Sequence, residues 1–88
     1  MDGQFSGEEF REDVLMKHYQ EFLKSPFVLK LVLDGTVGYG PSFLEESIGG
    51  LTRKIGKDAV LKFLRFSSLE EPFLIDEIEF YIDNNKKL

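Results

Sequence analysis

In this chain of 88 residues, the segment 34–46 is the one whose residue types best suit ligand binding, because it contains a serine and three glycines. Positive φ or close backbone approach is possible at Gly35, Gly38 and Gly40. Ser42 follows at the predicted start of a helix. Such a turn would hold free backbone N–H groups at the carboxyl end of a strand, where open α/β sheets bind ligands and where a helix N-terminus favours an anion such as phosphate. The segment predicts either an anion-binding turn or a tight turn with a capped helix and no ligand.

The spacing of these glycines does not match a known phosphate-binding motif. Neither G-x-G-x-x-G nor G-x-x-x-x-G-K-[ST] occurs in the sequence. A nucleotide-binding module is therefore kept only as one alternative function. Ser42 and Glu45 have the spacing of a capping box, in which the serine accepts a hydrogen bond from the backbone three residues later. That pattern predicts that Ser42 is the N-cap of the helix.

The sequence predicts no catalytic set of residues. His18 is the one histidine and there is no cysteine, so a zinc site is not expected. Neighbouring acids such as Glu70 and Glu71 point in different directions on a helix, whereas general acid and base catalysis needs opposed carboxylates. We expect no enzymatic activity, no cofactor and no metal.

Several residues could instead contact a partner protein. Arg11 could pair with acids one turn or one residue away, or hold a partner's carboxylate. Tyr39 and Phe43 could anchor a partner or cover the small core. The predicted partner-facing residues of the turn are Asp34, Gly38, Tyr39, Gly40, Phe43, Glu45 and Glu46. Those outside the turn are Glu8, Arg11 and Glu12.

Length and composition predict one acidic globular domain covering residues 1–88. Hydrophobic residues make up 42% of the chain, including nine Phe and three Tyr, which is too many for a disordered segment. The net charge of −5 argues against nucleic acid as a partner. We expect no signal peptide and no membrane span, and a cytoplasmic location.

Hydrophobic periodicity and capping signals predict the order of helices and strands. A helix over 7–24 begins with the capping box of Ser6 and Glu9 and ends before Pro26. The segment 58–67 is either one strand or a helical turn capped by Asp58 and followed by a strand. The other predictions are a strand over 27–33 covered on both faces, a helix over 43–55 ended by Gly56 and closely packed at Gly49 and Gly50, and a last helix capped by Ser67 or Ser68.

This order predicts an α/β fold with a parallel crossover and about three helices. The sequence has only two good strands, and a two-stranded parallel sheet exposes edges that invite pairing. Residues 1–5 could add a third strand, or another chain could complete the sheet. Pairing of sheet edges between copies of the chain would give a homo-oligomer.

The chain resembles the bacterial and phage-encoded STAS-like domains of unknown function, which are distant relatives of anti-sigma-factor antagonists. The resemblance covers nearly the whole sequence. It depends on Asp2-Gly3, residues 6–12, Leu33-Asp34-Gly35, Gly38-Tyr39, residues 42–46, Gly49-Gly50-Leu51 and the helix over 78–82.

The resemblance implies a small non-enzymatic switch. Anti-sigma-factor antagonists bind a GHKL-type ATPase that phosphorylates a serine at the strand-to-helix turn, and Ser42 lies at the matching position. The relatives usually have Asp-Ser-Ser-Gly or Asp-Thr-Ser-Gly there, whereas this chain has Gly-Pro-Ser-Phe over 40–43. The alternative is a structural subunit or phage-encoded inhibitor that joins a defence or anti-defence complex through its acidic face.

Overall fold

The computed structural model describes residues 6–33 and 41–88, which form an α/β fold. Within those residues there are four helices and a sheet of two parallel strands. Helix α1 covers 7–24 and helix α2 covers 41–55. The remaining elements are β1 (Leu29–Val32), α3 (Lys57–Phe63), β2 (Leu64–Ser67) and α4 (Phe73–Asp83). No helix in this described part is long and apolar enough to cross a membrane.

Helix α1 begins and ends where the sequence predicts. The Ser6 hydroxyl accepts a hydrogen bond from the Glu9 N–H at 3.1 Å, and the Glu9 carboxylate accepts one from the Ser6 N–H at 3.0 Å. The predicted capping box is therefore confirmed. The helix ends at Lys24, and Ser25 is extended before Pro26. Between the α-helical parts Gly7–Phe10 and Met16–Lys24 lies a π-helical segment, Arg11–Leu15, which the sequence did not predict.

Helix α2 has the same composite form. It consists of Pro41–Leu44, a π-helical segment Glu45–Gly49, and Gly50–Ile55. The helix begins at Pro41, so the prediction that Ser42 is its N-cap is wrong. Proline is favoured at the first helical position because its missing N–H would have no helical partner there. Gly56 ends the helix with a φ of +91°, which confirms its predicted role.

The segment after Gly56 forms a helix and then a strand. Lys57–Phe63 is helical and Leu64–Ser67 pairs with β1, which confirms the second of the two predicted alternatives. Asp58 is not the cap, because the helix already begins at Lys57. This helix brings the described total to four.

The sheet is parallel, with Leu29 paired with Leu64 and Val32 with Ser67. The predicted strand over 27–33 is shorter than expected and is not covered on both faces. Leu29 and Leu31 face the core, whereas Lys30 and Val32 are exposed. The predicted third strand, residues 1–5, lies outside the described residues.

The core lies between the helices and one face of the sheet. Phe63 is fully buried and its ring lies 5.3 to 6.0 Å from those of Tyr19, Phe22 and Phe27. Helix α4 contributes Leu74, Ile78 and Ile82, which are buried at intervals of four residues. It begins at Phe73, so neither Ser67 nor Ser68 caps it. The Ser68 hydroxyl instead accepts a hydrogen bond from the Glu71 N–H at 3.2 Å, in the turn before the helix.

Candidate functional site

The candidate site lies where the first three turns of α2 pack against the first turns of α1. We call this region the α1–α2 junction, and it is built from Gly7, Arg11, Phe43, Glu46 and Gly50. Ser42 is exposed beside it. Phe43 is half-buried, with its ring centre 5.6 Å from that of Phe10. The junction therefore fixes the helical turn that carries Ser42.

Gly7 allows the two helices to approach closely. A Cβ atom at this position would lie 2.6 Å from the Cβ of Glu46 and 2.7 Å from the carbonyl oxygen of Phe43. Real Cβ atoms do not come this close to backbone oxygen, so a larger residue would push α2 away from α1. The first residue of α1 is therefore a contact point between helices as well as part of a capped terminus.

Arg11 joins the two helices with its guanidinium group. Its Nη1 donates a hydrogen bond to the carbonyl oxygen of Glu46 at 2.6 Å, and its Nε lies 2.8 Å from the Glu12 carboxylate. The side chain is only 15% exposed, and its outer atoms lie on Gly50. Arg11 thus pairs with Glu12 and with the main chain of α2. Its contact with a partner's carboxylate stays a prediction.

The π-helical segment of α2 changes the hydrogen bonding around the Glu46 carbonyl. In an α-helix the Gly50 N–H would donate to Glu46, but here it donates to the carbonyl groups of Glu45 and Ser47. The Arg11 guanidinium donates to Glu46 at the same place. The Arg11 side chain of α1 therefore supplies a hydrogen bond to the Glu46 carbonyl, which the Gly50 N–H does not bond in this π-helical segment.

Two carboxylates near the junction are held by cations. Hydrogen bonding to Arg11, with a further contribution from Lys54 at 3.3 Å, lowers the pKa of Glu12 below its usual value. Hydrogen bonding to Arg53 at 2.6 Å likewise lowers the pKa of Glu45. Both carboxylates are ionised at neutral pH, and each is turned towards its own cation.

The structure brings together only part of the predicted site. Ser42, Phe43, Glu46, Arg11 and Glu12 lie around the junction. Glu8 is exposed in the first turn of α1, and the carboxylate that bonds Arg11 is that of Glu12. The predicted partner-facing residues Asp34, Gly38, Tyr39 and Gly40 lie outside the described residues.

His18, the one histidine of the chain, has a structural partner. The Nδ1 of His18 donates to the Val14 carbonyl at 2.8 Å, one turn earlier in α1. Among residues 6–33 and 41–88, no group of three histidines, cysteines or acids is arranged to hold a metal ion.

Sequence reasoning missed the residues that hold Glu45. Arg53 bonds both Glu45 and the side-chain oxygen of Asn85, the latter at 2.5 Å. Glu45 and Arg53 are eight residues apart, which is beyond the three- or four-residue spacing that predicts a side-chain pair on a helix. Asn85 lies in the segment after α4, and no local sequence signal links it to α2.

The chain belongs to the family described as the STAS-like domain of unknown function (DUF4325), whose family model matches residues 6–73. This match confirms the resemblance inferred from the motifs. It includes the whole α1–α2 junction and both strands, whereas α4 lies beyond it except for Phe73. Comparisons with curated proteins and with solved structures gave no match.

Proposed function

We propose that this protein is a non-enzymatic interaction module that switches partners through the surface around Ser42. The observation that supports this proposal is the contrast between Ser42 and the rest of its helix. Ser42 is exposed, whereas Leu44, Ile48 and Leu51 on the following turns are buried in the core. A charge added to Ser42 would therefore be displayed to a partner on a fixed support.

The electrostatics of the helix favour a phosphate at this position. Phosphorylation adds about −1.5 to −2 charges, and the dipole of a helix favours negative charge in its first turn. Glu45 and Glu46 would oppose it. However, Glu45 is paired with Arg53 at 2.6 Å, so its charge is compensated, and the repulsion comes mainly from the exposed Glu46.

The partner we propose is a GHKL-type ATPase of the kind that binds and phosphorylates anti-sigma-factor antagonists. Its docking surface would include Ser42 and Glu46, with Glu8 on the adjoining turn of α1. Glu12 lies nearby, but its charge is compensated by Arg11 and Lys54. This acidic surface suits a partner with basic side chains around its binding site. Such an exchange of partners would take place in the cytoplasm, where the ATPase has access to ATP.

Affinity capture with a phosphomimetic variant tests the proposal. The tagged wild-type protein, Ser42→Ala and Ser42→Asp would each be used to capture partners from lysate of the native host. We expect an ATPase to bind the wild type and Ser42→Ala, and to bind Ser42→Asp at least tenfold less. Ser25→Asp is a matched control, because Ser25 is also exposed but lies at the far end of α1. Equal capture by all four proteins would contradict partner switching.

A second candidate function is a constitutive subunit or inhibitor that binds through its acidic face. The observation that favours it is the exposure of Asp76, Glu79 and Asp83 on α4. A subunit of this kind would be captured with its complex regardless of the substitution at Ser42. Its capture would be lost in Asp76→Lys, which reverses a charge on α4.

A further inference from the structure

Among residues 6–33 and 41–88, no helix covers one face of the sheet. This open sheet face consists of Val28, Lys30, Val32 and Arg65, with Lys30 and Arg65 side by side in the strand register. Val28 is 55% exposed and Val32 is 59% exposed. Parallel sheets in α/β proteins are almost always covered on both faces, because the crossover helices pack on each side and bury the apolar side chains of the strands. One face of this sheet, with its exposed valines and two cations, therefore lacks the layer that normally covers a parallel sheet.

The outer surface of α4 has complementary chemistry. Phe73, Asp76, Phe80 and Asp83 follow one another at intervals of three or four residues, so they form one stripe along the helix. We call this stripe the outer α4 face. Phe73 and Phe80 are 56% and 59% exposed, which is high for large aromatic side chains on a helix. Asp83 pairs with Lys57 at 2.6 Å, whereas Asp76 has no ion pair in the described part of the chain.

We propose that the partner for the open sheet face is a second copy of this chain, which covers it with its outer α4 face. The valines would pack against Phe73 and Phe80, and Asp76 would approach Lys30. Arg65 adds positive charge beside it, although its Nη1 already donates to the carbonyl oxygens of Leu61 and Leu64. A helix packed on the uncovered face supplies the layer that the parallel sheet lacks. This contact uses neither the α1–α2 junction nor Ser42, so it is separate from the proposed switching.

Charge determines which faces meet. Two open sheet faces in contact would place Lys30 and Arg65 against the same cations of the other copy. Two outer α4 faces would place Asp76 and Asp83 against the same acids. Like charges in a desolvated contact are unfavourable, whereas the sheet-to-helix arrangement pairs opposite charges. The favoured contact is therefore head to tail.

A head-to-tail contact leaves one unused face of each kind on every pair. Association then continues into a chain of copies or closes into a ring. The net charge of −5 on each copy opposes this growth. Association should increase with protein concentration by mass action.

The test is whether two differently blocked variants complement each other. Val32→Asp blocks the open sheet face and Phe80→Asp blocks the outer α4 face, both at exposed positions. We expect the wild type to associate in light scattering at concentrations up to about 1 mM, and each variant alone to be monomeric. Mixed in equal amounts, the variants should form a heterodimer and nothing larger, because each supplies the face that the other lacks. Leu23→Asp, at another exposed apolar position on α1, is the control and should associate like the wild type.

Charge substitutions provide a second measurement that does not alter the apolar surface. Lys30→Glu and Asp76→Lys should each weaken association about tenfold or more, and the double variant should recover most of it. Ser42→Asp should leave association unchanged, which separates this result from the proposed switching. A monomeric wild type would overturn the proposal. So would a mixture of Val32→Asp and Phe80→Asp that stays monomeric when the wild type associates.

Discussion

The guanidinium group of Arg11 lies directly on Gly50, where α1 packs against α2. A Cβ atom at position 50 would overlap Nη1 of that arginine. The close packing predicted for Gly49 and Gly50 is therefore real at Gly50. Its physical basis is a charged side chain lying flat on a helix and bonded to the Glu46 carbonyl beside it.

Gly50→Ala should increase the stability of the protein only when Arg11 is absent. Alanine is better than glycine in a helix by about 1 kcal/mol. In the wild type this gain is opposed by displacement of Arg11, so we expect no increase in stability. In the Arg11→Met background, Gly50→Ala should stabilise the protein. A double-mutant cycle by urea unfolding should give a coupling of at least about 0.5 kcal/mol. Additive effects would show that Arg11 and Gly50 do not interact.

Gly7→Ala should destabilise the protein more than Gly49→Ala. At Gly7 the added methyl group meets the Phe43 backbone oxygen at 2.7 Å, and the backbone cannot move without separating the helices. At Gly49 it meets the ends of the Asn85 and Glu45 side chains at 3.0 and 3.1 Å, and these can rotate away. We expect a loss of about 1 to 3 kcal/mol for Gly7→Ala, as in other overpacked sites. Chemical denaturation of both variants measures the difference, and equal losses would be inconsistent with close backbone contact at Gly7.

Ser6→Ala should cost more stability than Ser42→Ala, although both serines have a glutamate three residues later. The Ser6 hydroxyl accepts the Glu9 N–H, so its loss should cost about 1 kcal/mol. Ser42 is inside the first helical turn and exposed, so its replacement should change stability by less than about 0.5 kcal/mol. Thermal unfolding of the two variants gives the comparison. A loss at Ser42 as large as that at Ser6 would show that Ser42 does have a capping role.

The ion pairs of Glu12 and Glu45 should make stability fall in acid. The cations lower the pKa of both carboxyl groups in the folded protein, below the value of 4.5 expected without these partners. Their contribution is therefore complete above about pH 4.5 and is lost as the pH falls through the lowered folded-state pKa. Since the Glu12 and Glu45 side chains are 39% and 42% exposed and solvent screens both pairs, each pair should contribute no more than about 1 kcal/mol.

The measurement is the difference in unfolding temperature between the wild type and Glu45→Gln at several pH values. The wild type should be more stable at pH 7, and the difference should shrink below pH 4.5. Glu21→Gln, at an exposed position on α1 away from these pairs, serves as the control. A difference that stays constant from pH 7 to pH 3 would argue against ionisation of Glu45 as its cause.

Local sequence patterns predicted which helices exist better than they predicted the residues at which each helix begins. The capping box of Ser6 and the stop before Pro26 are complete within a few residues, so α1 could be placed correctly from sequence. The spacing of Ser42 and Glu45 is equally good, yet Pro41 already begins the helix. Two signals competed at that terminus, and the sequence pattern alone did not indicate that Pro41 would take the first helical position.

Contacts between distant segments could not be predicted. The Arg53 side chain meets Asn85, and Arg11 meets the Glu46 carbonyl, only after the helices have packed. The two π-helical segments also have no distinctive composition, because each differs from an α-helix by a shift of one hydrogen bond. The exposed face of β1 could have been suspected from Lys30, which interrupts an otherwise apolar run.

The parallel register of the sheet also affects how the chain folds. Leu29 pairs with Leu64 and Val32 with Ser67, so every rung of the sheet joins segments separated by two whole helices. Such a sheet cannot form as a local hairpin, because the loop-closure entropy must be overcome before any rung contributes. We therefore expect the capped helix α1 to form early and strand pairing to be a late, rate-limiting event. Until then both strands would expose their edges, and aggregation during refolding should increase with protein concentration.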